Sequence, residues 1–451
     1  MNDLKSLAEL EISAAGVEAQ AAARGEPEWL REFRRKAWRF FEEMPWPTGN
    51  EETWRRTKLT GFKLEDFRLF PAAGPIGLRH PAAPGADLPA AVAKSLAEVE
   101  SAGSLALVDG AAAQATLAAD LAAQGVIFTD LGTALREHES LVQRHFGRAA
   151  AIDENKFSAL HYALWENGTF LYVPRNVSVK LPMQAVVSLG GATDGAAARR
   201  AGFDHTLVVT EEGASVTLAE DFLGAEEGLL DSVIELLPGP NSQLHYLHLQ
   251  NLATSAWNFS TQRILLTRDS LVRYFIGSWG SRLTKAWITM DLNEPGSHGE
   301  LLGLYFPAGR QHLDHHTNQL HRADHATSDL LFKGALKERA RSVYQGYIKV
   351  WPGAQKTNAY QANRNLLLSK NARADSIPGL EIEADDVRCT HGATASQLPD
   401  EYVFYLMARG IDRTNAERLI VQGFFEEVLD RIPVPGVRNK LENEIASKVG
   451  L

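Results

Sequence analysis

Between about residues 165 and 388 the chain is a succession of short β-type runs, and that texture limits the fold more than any other feature. The runs are Phe170–Val173, Thr206–Val209, Ser215–Ala219, Gln243–Leu249, Arg263–Leu266, Leu271–Ile276, Ala286–Met290, Glu300–Tyr305, Asp329–Phe332, Tyr344–Val350 and Asn365–Leu368. Turn formers such as Glu212-Gly213, Pro238-Gly239-Pro240-Asn241, Arg268-Asp269-Ser270 and Pro295-Gly296 separate many of them. Several turns leave a small or polar residue just before an alternating strand, as in G-A-S-V-T-L, N-S-Q-L-H-Y and R-D-S-L-V-R-Y. Helices of useful length are scarce here, which disfavours a doubly wound βαβ sheet. A sandwich, a barrel or a β-helix remains. Many short strands with loose repetition favour the β-helix, whose coils bury their faces on one another.

The flanks read differently. Residues 3–42 look helical: Leu4, Leu7, Leu10 and Ile12 give a first apolar face, and Pro27 starts a second segment. There Trp29, Leu30, Phe33, Ala37, Phe40 and Phe41 recur at helical steps. The intervening Arg31, Arg34, Arg35, Lys36 and Arg39 read as that helix's solvated side. Residues 71–89 are rich in Pro, Gly and Ala and read as a surface linker. Ala-rich helical segments at 90–100 and 112–123 bracket a strand at Ser104–Val108, and a helix follows over Leu131–Phe146. After Gln397 the signals are helical again, with Ser396 as N-cap, Pro399 in the first turn and Val403, Leu406 and Met407 as the apolar stripe. Gly410 stops that helix. Thr414 precedes a second helix, Pro433 and Pro435 end it, and Val437–Val449 forms the last. The chain thus divides into a mostly helical, mixed α/β region (1–150), a β core (151–395) and a helical domain (396–451).

A chain of 451 residues is long enough for such an extended core. Its net charge of −10 argues against nucleic acid or an anionic membrane as main partner, since both reward clustered Lys and Arg. Cys389 is the only cysteine, so no internal disulfide forms and a reducing compartment is expected. The N-terminus lacks the basic-then-apolar order of a signal peptide, and no apolar stretch approaches the ~20 residues that span a bilayer. The expectation is a cytoplasmic protein.

Two constellations could carry chemistry. Cys389 and His391 lie at i and i+2, so on a strand they share one face with Cα atoms roughly 6.5–7 Å apart. A soft nucleophile beside an imidazole suits a metal or cluster held between two surfaces better than a closed site. The second constellation is the His-rich run at 311–325, Q-H-L-D-H-H-T-N-Q-L-H-R-A-D-H. On helices, His312/His316 and His321/His325 would be i,i+4 pairs of the kind zinc sites use. On a strand, His312, Asp314 and His316 would face one way as a three-ligand metal site, with His315 facing the other. The chain carries no Walker-type phosphate loop, no dinucleotide fingerprint and too few thiols for four-cysteine cluster ligation.

Residues 355–425 contain Gln355-Lys356-Thr357, Asn363-Arg364-Asn365-Leu366-Leu367-Leu368-Ser369, Pro378-Gly379-Leu380-Glu381-Ile382, Asp386–Thr394, Phe404-Tyr405-Leu406 and Ala408-Arg409-Gly410-Ile411. Taken together these segments resemble the SufB/SufD family of iron–sulfur cluster assembly proteins. A looser likeness runs back through Val173-Pro174-Arg175 to Trp54-Arg55-Arg56-Thr57. Within the family the SufD branch is the nearer: the chain reads C-T-H-G-A-T at 389–394, where SufB relatives carry H-E-A-T. It also reads E-D-F-L-G from Glu220, without the cysteine SufB relatives often have there.

The resemblance implies a right-handed parallel β-helix core between an N-terminal helical region and a C-terminal helical domain. It implies a non-catalytic scaffold subunit that pairs with a SufB-like paralogue through the cores. The C-terminal helices would bind a SufC-like ABC-type ATPase, which supplies the ATPase activity. It further implies a transient iron–sulfur cluster shared with SufB, at which His391 acts and Cys389 is an auxiliary ligand. A flavin in the complex and a homodimer when the chain is alone complete these expectations. Three other readings stand beside it: a metal-binding enzyme using His312, Asp314 and His316, a flavin-dependent iron-acquisition or redox accessory, and a purely structural partner of SufB.

Overall fold

The computed structural model describes residues 11–69, 88–190, 199–224 and 226–450. The Leu4, Leu7 and Leu10 face and nearly all of the 71–89 linker lie outside these residues. The described chain opens with α1 (Ala14–Ala23), α2 (Glu28–Glu43) and β1 (Phe67–Leu69). Next come α3 (Ala90–Ala97), β2 (Gly103–Val108), β3 (Ala111–Leu117), α4 (Ala119–Ala123) and β4 (Ile127–Asp130). Helices α5 (Leu131–Glu137), α6 (Glu139–His145) and α7 (Lys156–Leu164) lead to β5 (Thr169–Val173) and β6 (Met183–Leu189). A long run of strands follows: β7 (Arg199–Thr210), β8 (Ser215–Gly224), β9 (Leu229–Pro238), β10 (Gln243–Leu252) and β11 (Trp257–Leu266). It continues through β12 (Leu271–Ser278), β13 (Leu283–Leu292), β14 (His298–Tyr305), β15 (His312–His321) and β16 (Thr327–Leu336). The last strands are β17 (Arg341–Val350), β18 (Asn358–Leu367), β19 (Arg373–Ile382) and β20 (Arg388–Gln397). Helices α8 (Asp400–Met407), α9 (Arg413–Leu429) and α10 (Pro435–Gly450) end the chain.

From β5 onward odd strands run in one sheet and even strands in another, and from β7 to β18 each strand pairs parallel with the strand two before and the strand two after it; β1 and β4 bring the first sheet to ten strands, β2 and β3 the second. The fold is the expected parallel β-solenoid. Register lines run straight up the stack, as in Leu229↔Trp257↔Leu283↔His312↔Arg341↔Arg373. At successive corners between the sheets one residue takes positive φ: Gly213, Asn241, Asp269, Gly296, His325 and Lys356. Their amides step from coil to coil, with Gly213 N donating to Pro240 O (2.9 Å), Asn241 N to Arg268 O (2.9 Å) and Lys356 N to Asp386 O (2.7 Å). The hydroxyl that follows often closes the turn, as Ser242, Ser270 and Thr357 donate back to Gly239, Thr267 and Ala354. This is the physical content of the small or polar residue before each strand.

Both faces of most strands are covered. Inside the solenoid pack Leu218, Leu244, Tyr246, Val272, Tyr274, Leu301 and Leu330. The N-terminal helices cover the outer face of the odd-strand sheet, where Phe157 stacks on Phe259 at 3.7 Å between ring centroids. Against the even-strand sheet, Val421, Phe425, Val428, Leu441 and Ile445 of α9 and α10 meet Leu247, Phe275, Trp279 and Leu302. Strands buried on two faces lose the apolar–polar alternation, which is why β6 and β9 escape a period-two reading.

Several local expectations are corrected. Ala111–Leu117 is a strand antiparallel to β2 rather than a helix, because the hairpin satisfies its backbone against Gly103–Val108. The 131–146 helix breaks at His138. Ser396 lies in β20, Pro399 takes the N-cap of α8, and Thr414 lies inside α9 rather than before it, the helix being capped by Asp412, which accepts from Asn415 N. Arg34 is not solvated; it is fully buried beneath α7. Its guanidinium grips Glu26 at 2.6 and 2.7 Å and donates to Ala163 O (2.9 Å) and Trp165 O (2.8 Å). It thereby satisfies carbonyls that the end of α7 would otherwise leave orphaned.

One buried carboxyl gives a prediction. Asp231 projects outward from β9 between Phe203 and Phe259, and neither of its oxygens has a hydrogen-bond partner among the described residues. Burial pushes its pKa well above the usual carboxylate range. The native state therefore holds a proton that the unfolded chain releases, and stability is lost as pH rises above the ordinary aspartate value of about 3.8. Asp231→Val is expected to raise stability at pH 8 by about 1–3 kcal/mol and to gain less at pH 5. Denaturant midpoints at both pH values check it.

Candidate functional site

The two ends of the solenoid differ. At the N-terminal end β3 and β4 cap the sheets by antiparallel pairing with β2 and β5. At the C-terminal end β19 pairs only with β17 and β20 only with β18, so the outer edges of both strands are unpaired among the described residues. The inner coils are buried, but nearly every residue of β20 is exposed and β19 is half-buried. Solenoids normally close such ends, because an uncovered coil presents both its lumen and its backbone edge.

Cys389 and His391 lie on this last coil. Cys389 is in register with Ala359 and His391 with Gln361, and Ala359, Gln361, Asn363 and Asn365 are the buried, inward positions of β18. Both side chains therefore face the lumen from its uncovered mouth, as the i, i+2 spacing predicts. Cys389 is half-buried against Ile348, Val350, Ala359 and Ala384, while His391 is exposed. Burial pushes the Cys389 thiol up, only partly offset by a hydrogen bond with the Ala359 backbone. The isolated chain thus holds a thiol rather than an activated thiolate. A thiol and an imidazole supply at most two ligands, so any cluster held here needs donors from a second surface.

Helix α8 follows β20 directly and buries only Val403. Phe404 is 73% exposed and Tyr402 59%, with Tyr405, Met407 and Leu419 of α9 also exposed. The expected stripe of Val403, Leu406 and Met407 is not the buried face. Large apolar side chains clustered in water are unusual on the surface of a monomeric protein.

The His-rich run forms β15, a strand, so the helical pairings do not arise. His321 points inward, its Nε2 2.8 Å from Ser328 Oγ, and His325 is a corner residue at φ 55. His315 also points inward, onto Ser278 and Tyr305. His312, Asp314 and His316 share the outer face as expected, but Asp314 and His316 close on the ammonium of Lys285 and His312 on the Thr57 hydroxyl. Lys285 Nζ lies 2.6 Å from Asp314 Oδ2, 2.6 Å from His316 Nε2 and 2.5 Å from Thr53 O. Thr57 donates to Asp314 and contacts His312 Nε2 at 3.0 Å, and Trp54 and Trp287 flank the ammonium. His316 Nε2 also lies 3.0 Å from Asp314 Oδ1, so the ring is shared between the ammonium and the carboxylate. Lys285 escapes a sequence reading; its only signal is a lysine alternating with Trp287 on a β-type run.

A second buried histidine pair is architectural. His161 Nε2 and His205 Nδ1 are 3.1 Å apart, and Glu235 accepts from Gly147, Ala149 and Ala150 amides while contacting His205. It fixes the approach to α7. Among the described residues no helix is long and apolar enough to cross a membrane.

Comparison with known proteins places these features. The family model for the SufBD core domain of the SUF FeS cluster assembly system matches residues 192–424, and that for the SufBD N-terminal region matches 17–185. The iron-sulfur cluster assembly protein SufD of Bacillus subtilis is 32% identical over 431 residues, covering 94% of this chain and 95% of that protein. An iron-sulfur cluster assembly SufBD family protein of Staphylococcus haemolyticus is 27% identical over 420 residues, covering 91% and 87%. A Staphylococcus saprophyticus relative is 30% identical over 318 residues, covering 70% and 67%.

Proposed function

The chain belongs to the SufBD family of iron–sulfur cluster assembly proteins, and on that premise we propose that it is a SufD-type, non-catalytic scaffold subunit. In this reading its last coil meets the last coil of a SufB-like paralogue, and its C-terminal helices bind a SufC-like ATPase. The observation that carries the reading is the open mouth formed by β19 and β20, with His391 and Cys389 turned into it. A solenoid that ends in free edges is satisfied by a second solenoid offering free edges of its own.

The cluster is cargo assembled between the two chains, not a resident cofactor. His391 offers one neutral imidazole nitrogen to it, and Cys389 stands beside as an auxiliary ligand; thiolates and carboxylates of the SufB-like chain supply the rest. The exposed aromatic face of α8 adjoins β20, so an ATPase seated there would be coupled to the mouth through one short connection, and its closure would move the mouth. The reading places the complex in the cytoplasm. A metal ion held by His312, Asp314 and His316 would have to displace the Lys285 ammonium, which makes that alternative the weaker one.

Anaerobic co-purification with both partners tests the two surfaces separately. Ala393→Arg puts a charge on the inward face of the open coil; it is expected to lose the SufB-like chain and keep the SufC-like one. Phe404→Ser is expected to do the reverse. Both residues are exposed, so melting temperatures should move by less than about 2 °C. Retention of both partners by both variants would contradict the assignment.

A further inference from the structure

The lumen below the open mouth contains an amide with nothing to bind. Gln361 is fully buried on β18, and neither its Oε1 nor its Nε2 has a hydrogen-bond partner among the described residues. Its neighbours on the same face are fully engaged. Asn363 Nδ2 donates to Tyr305 Oη (3.0 Å), Tyr305 Oη to Asn365 Oδ1 (2.6 Å), and Asn365 Nδ2 to Asn363 Oδ1 (2.8 Å), while Ser376 also donates to Asn363. An unpaired buried amide beside a satisfied network calls for an explanation.

Its position suggests one. A Cβ at Gly346 would collide with the Gln361 carboxamide, so the side chain reaches across the lumen to β17, and a larger residue there would push it aside. In the coil above, the register partner of Gly346 is Pro378, which has no N–H to give, and the register partner of Gln361 is His391. The imidazole is thus the polar side chain on the rung directly over the empty amide. Histidines that bind metals nearly always fix their ring through the second nitrogen, on a carboxylate, a carbonyl or a similar acceptor.

We propose that Gln361 is a positioning residue for His391, accepting the N–H of one imidazole nitrogen at Oε1 once a partner closes the mouth, so that the other nitrogen faces the cluster unprotonated. This rests on the function proposed above and adds to it the group that orients the ligand. The bond would form on assembly, which accounts for an amide left idle in the single chain.

The test uses the anaerobic complex with SufB-like and SufC-like partners, loaded with iron and sulfide and then challenged with a chelator. Gln361→Met keeps the volume and discards both polar atoms. Because it removes no existing hydrogen bond, the chain should melt no lower than wild type and still assemble. Cluster loss to the chelator should be at least about 10-fold faster. Gln361→Glu restores an acceptor and should return the loss rate to within about threefold of wild type. In the cluster-free complex, the ¹⁵N signals of His391, assigned through His391→Ala, should show one fixed tautomer in wild type and a mixture in Gln361→Met. Wild-type loss rate and an unchanged tautomer in Gln361→Met, with His391→Ala losing its cluster, would overturn this inference alone. A His391→Ala complex that keeps its cluster would overturn the reading beneath it as well.

Discussion

Replacing Arg34 with methionine is expected to destabilise the N-terminal region by about 3–5 kcal/mol, the cost of breaking a buried ion pair from one side. The substitution leaves the fully buried Glu26 carboxylate without its bidentate partner and returns Ala163 and Trp165 carbonyls to the unsatisfied state. Arg24, 3.4 Å from Glu26, compensates only in part. Burial raises the Glu26 pKa, but Arg34 and Arg24 outweigh it and hold the group below its ordinary 4.5. A depressed carboxylate contributes stability above the unfolded pKa and loses it as pH falls through the folded one. Wild type should therefore weaken below about pH 4.5, and Arg34→Met should lose that acid sensitivity. Replacing both partners, Arg34→Met with Glu26→Leu, should recover most of the loss. Denaturant unfolding of the four proteins across pH closes the cycle.

Lys285→Met is expected to cost a similar amount, about 3–5 kcal/mol, for the same physical reason at a different place. Burial raises the Asp314 pKa, yet Lys285 and His316 hold it well below the usual carboxylate range. Without the ammonium, Asp314 is an uncompensated buried charge, and Thr53 O loses its donor. The segment carrying Trp54 and Thr57 should then loosen from β13 and β15, which hydrogen exchange at 53–57 would register together with the lower midpoint. Lys285→Met with Asp314→Leu should restore much of the midpoint. A single-variant loss below about 1 kcal/mol would mean the cluster is solvated and its charges are not what holds the segment down.

How far the sequence carries depends on what each signal is made of. Corner residues are local, so G-A-S-V-T-L and R-D-S-L-V-R-Y announced their turns, and the strands that follow them start where those turns end. The i, i+2 spacing of Cys389 and His391 needed only strand geometry to place both on one face. Segments failed where a distant element decides the outcome. Ala111–Leu117 has helix-forming alanines but pairs with β2, and tertiary pairing overrode propensity. Arg34 sits in a basic helix, and only the approach of α7 makes it a buried cap. The His-rich run revealed its ligand-like residues but not Lys285, which arrives from the neighbouring coil through the register Lys285↔Asp314. Nor could spacing alone show that the coil carrying His391 has no strand beyond it among the described residues.

The decisive measurement is iron and acid-labile sulfide in the anaerobic complex with SufB-like and SufC-like partners, wild type beside His391→Ala, with complex size determined on the same samples. His391 is exposed and makes no packing contribution to the core, so a His391→Ala complex of unchanged size that holds at least about 10-fold less cluster is expected. A complex of normal size with normal iron and sulfide would contradict it and leave this chain a structural companion to the SufB-like subunit.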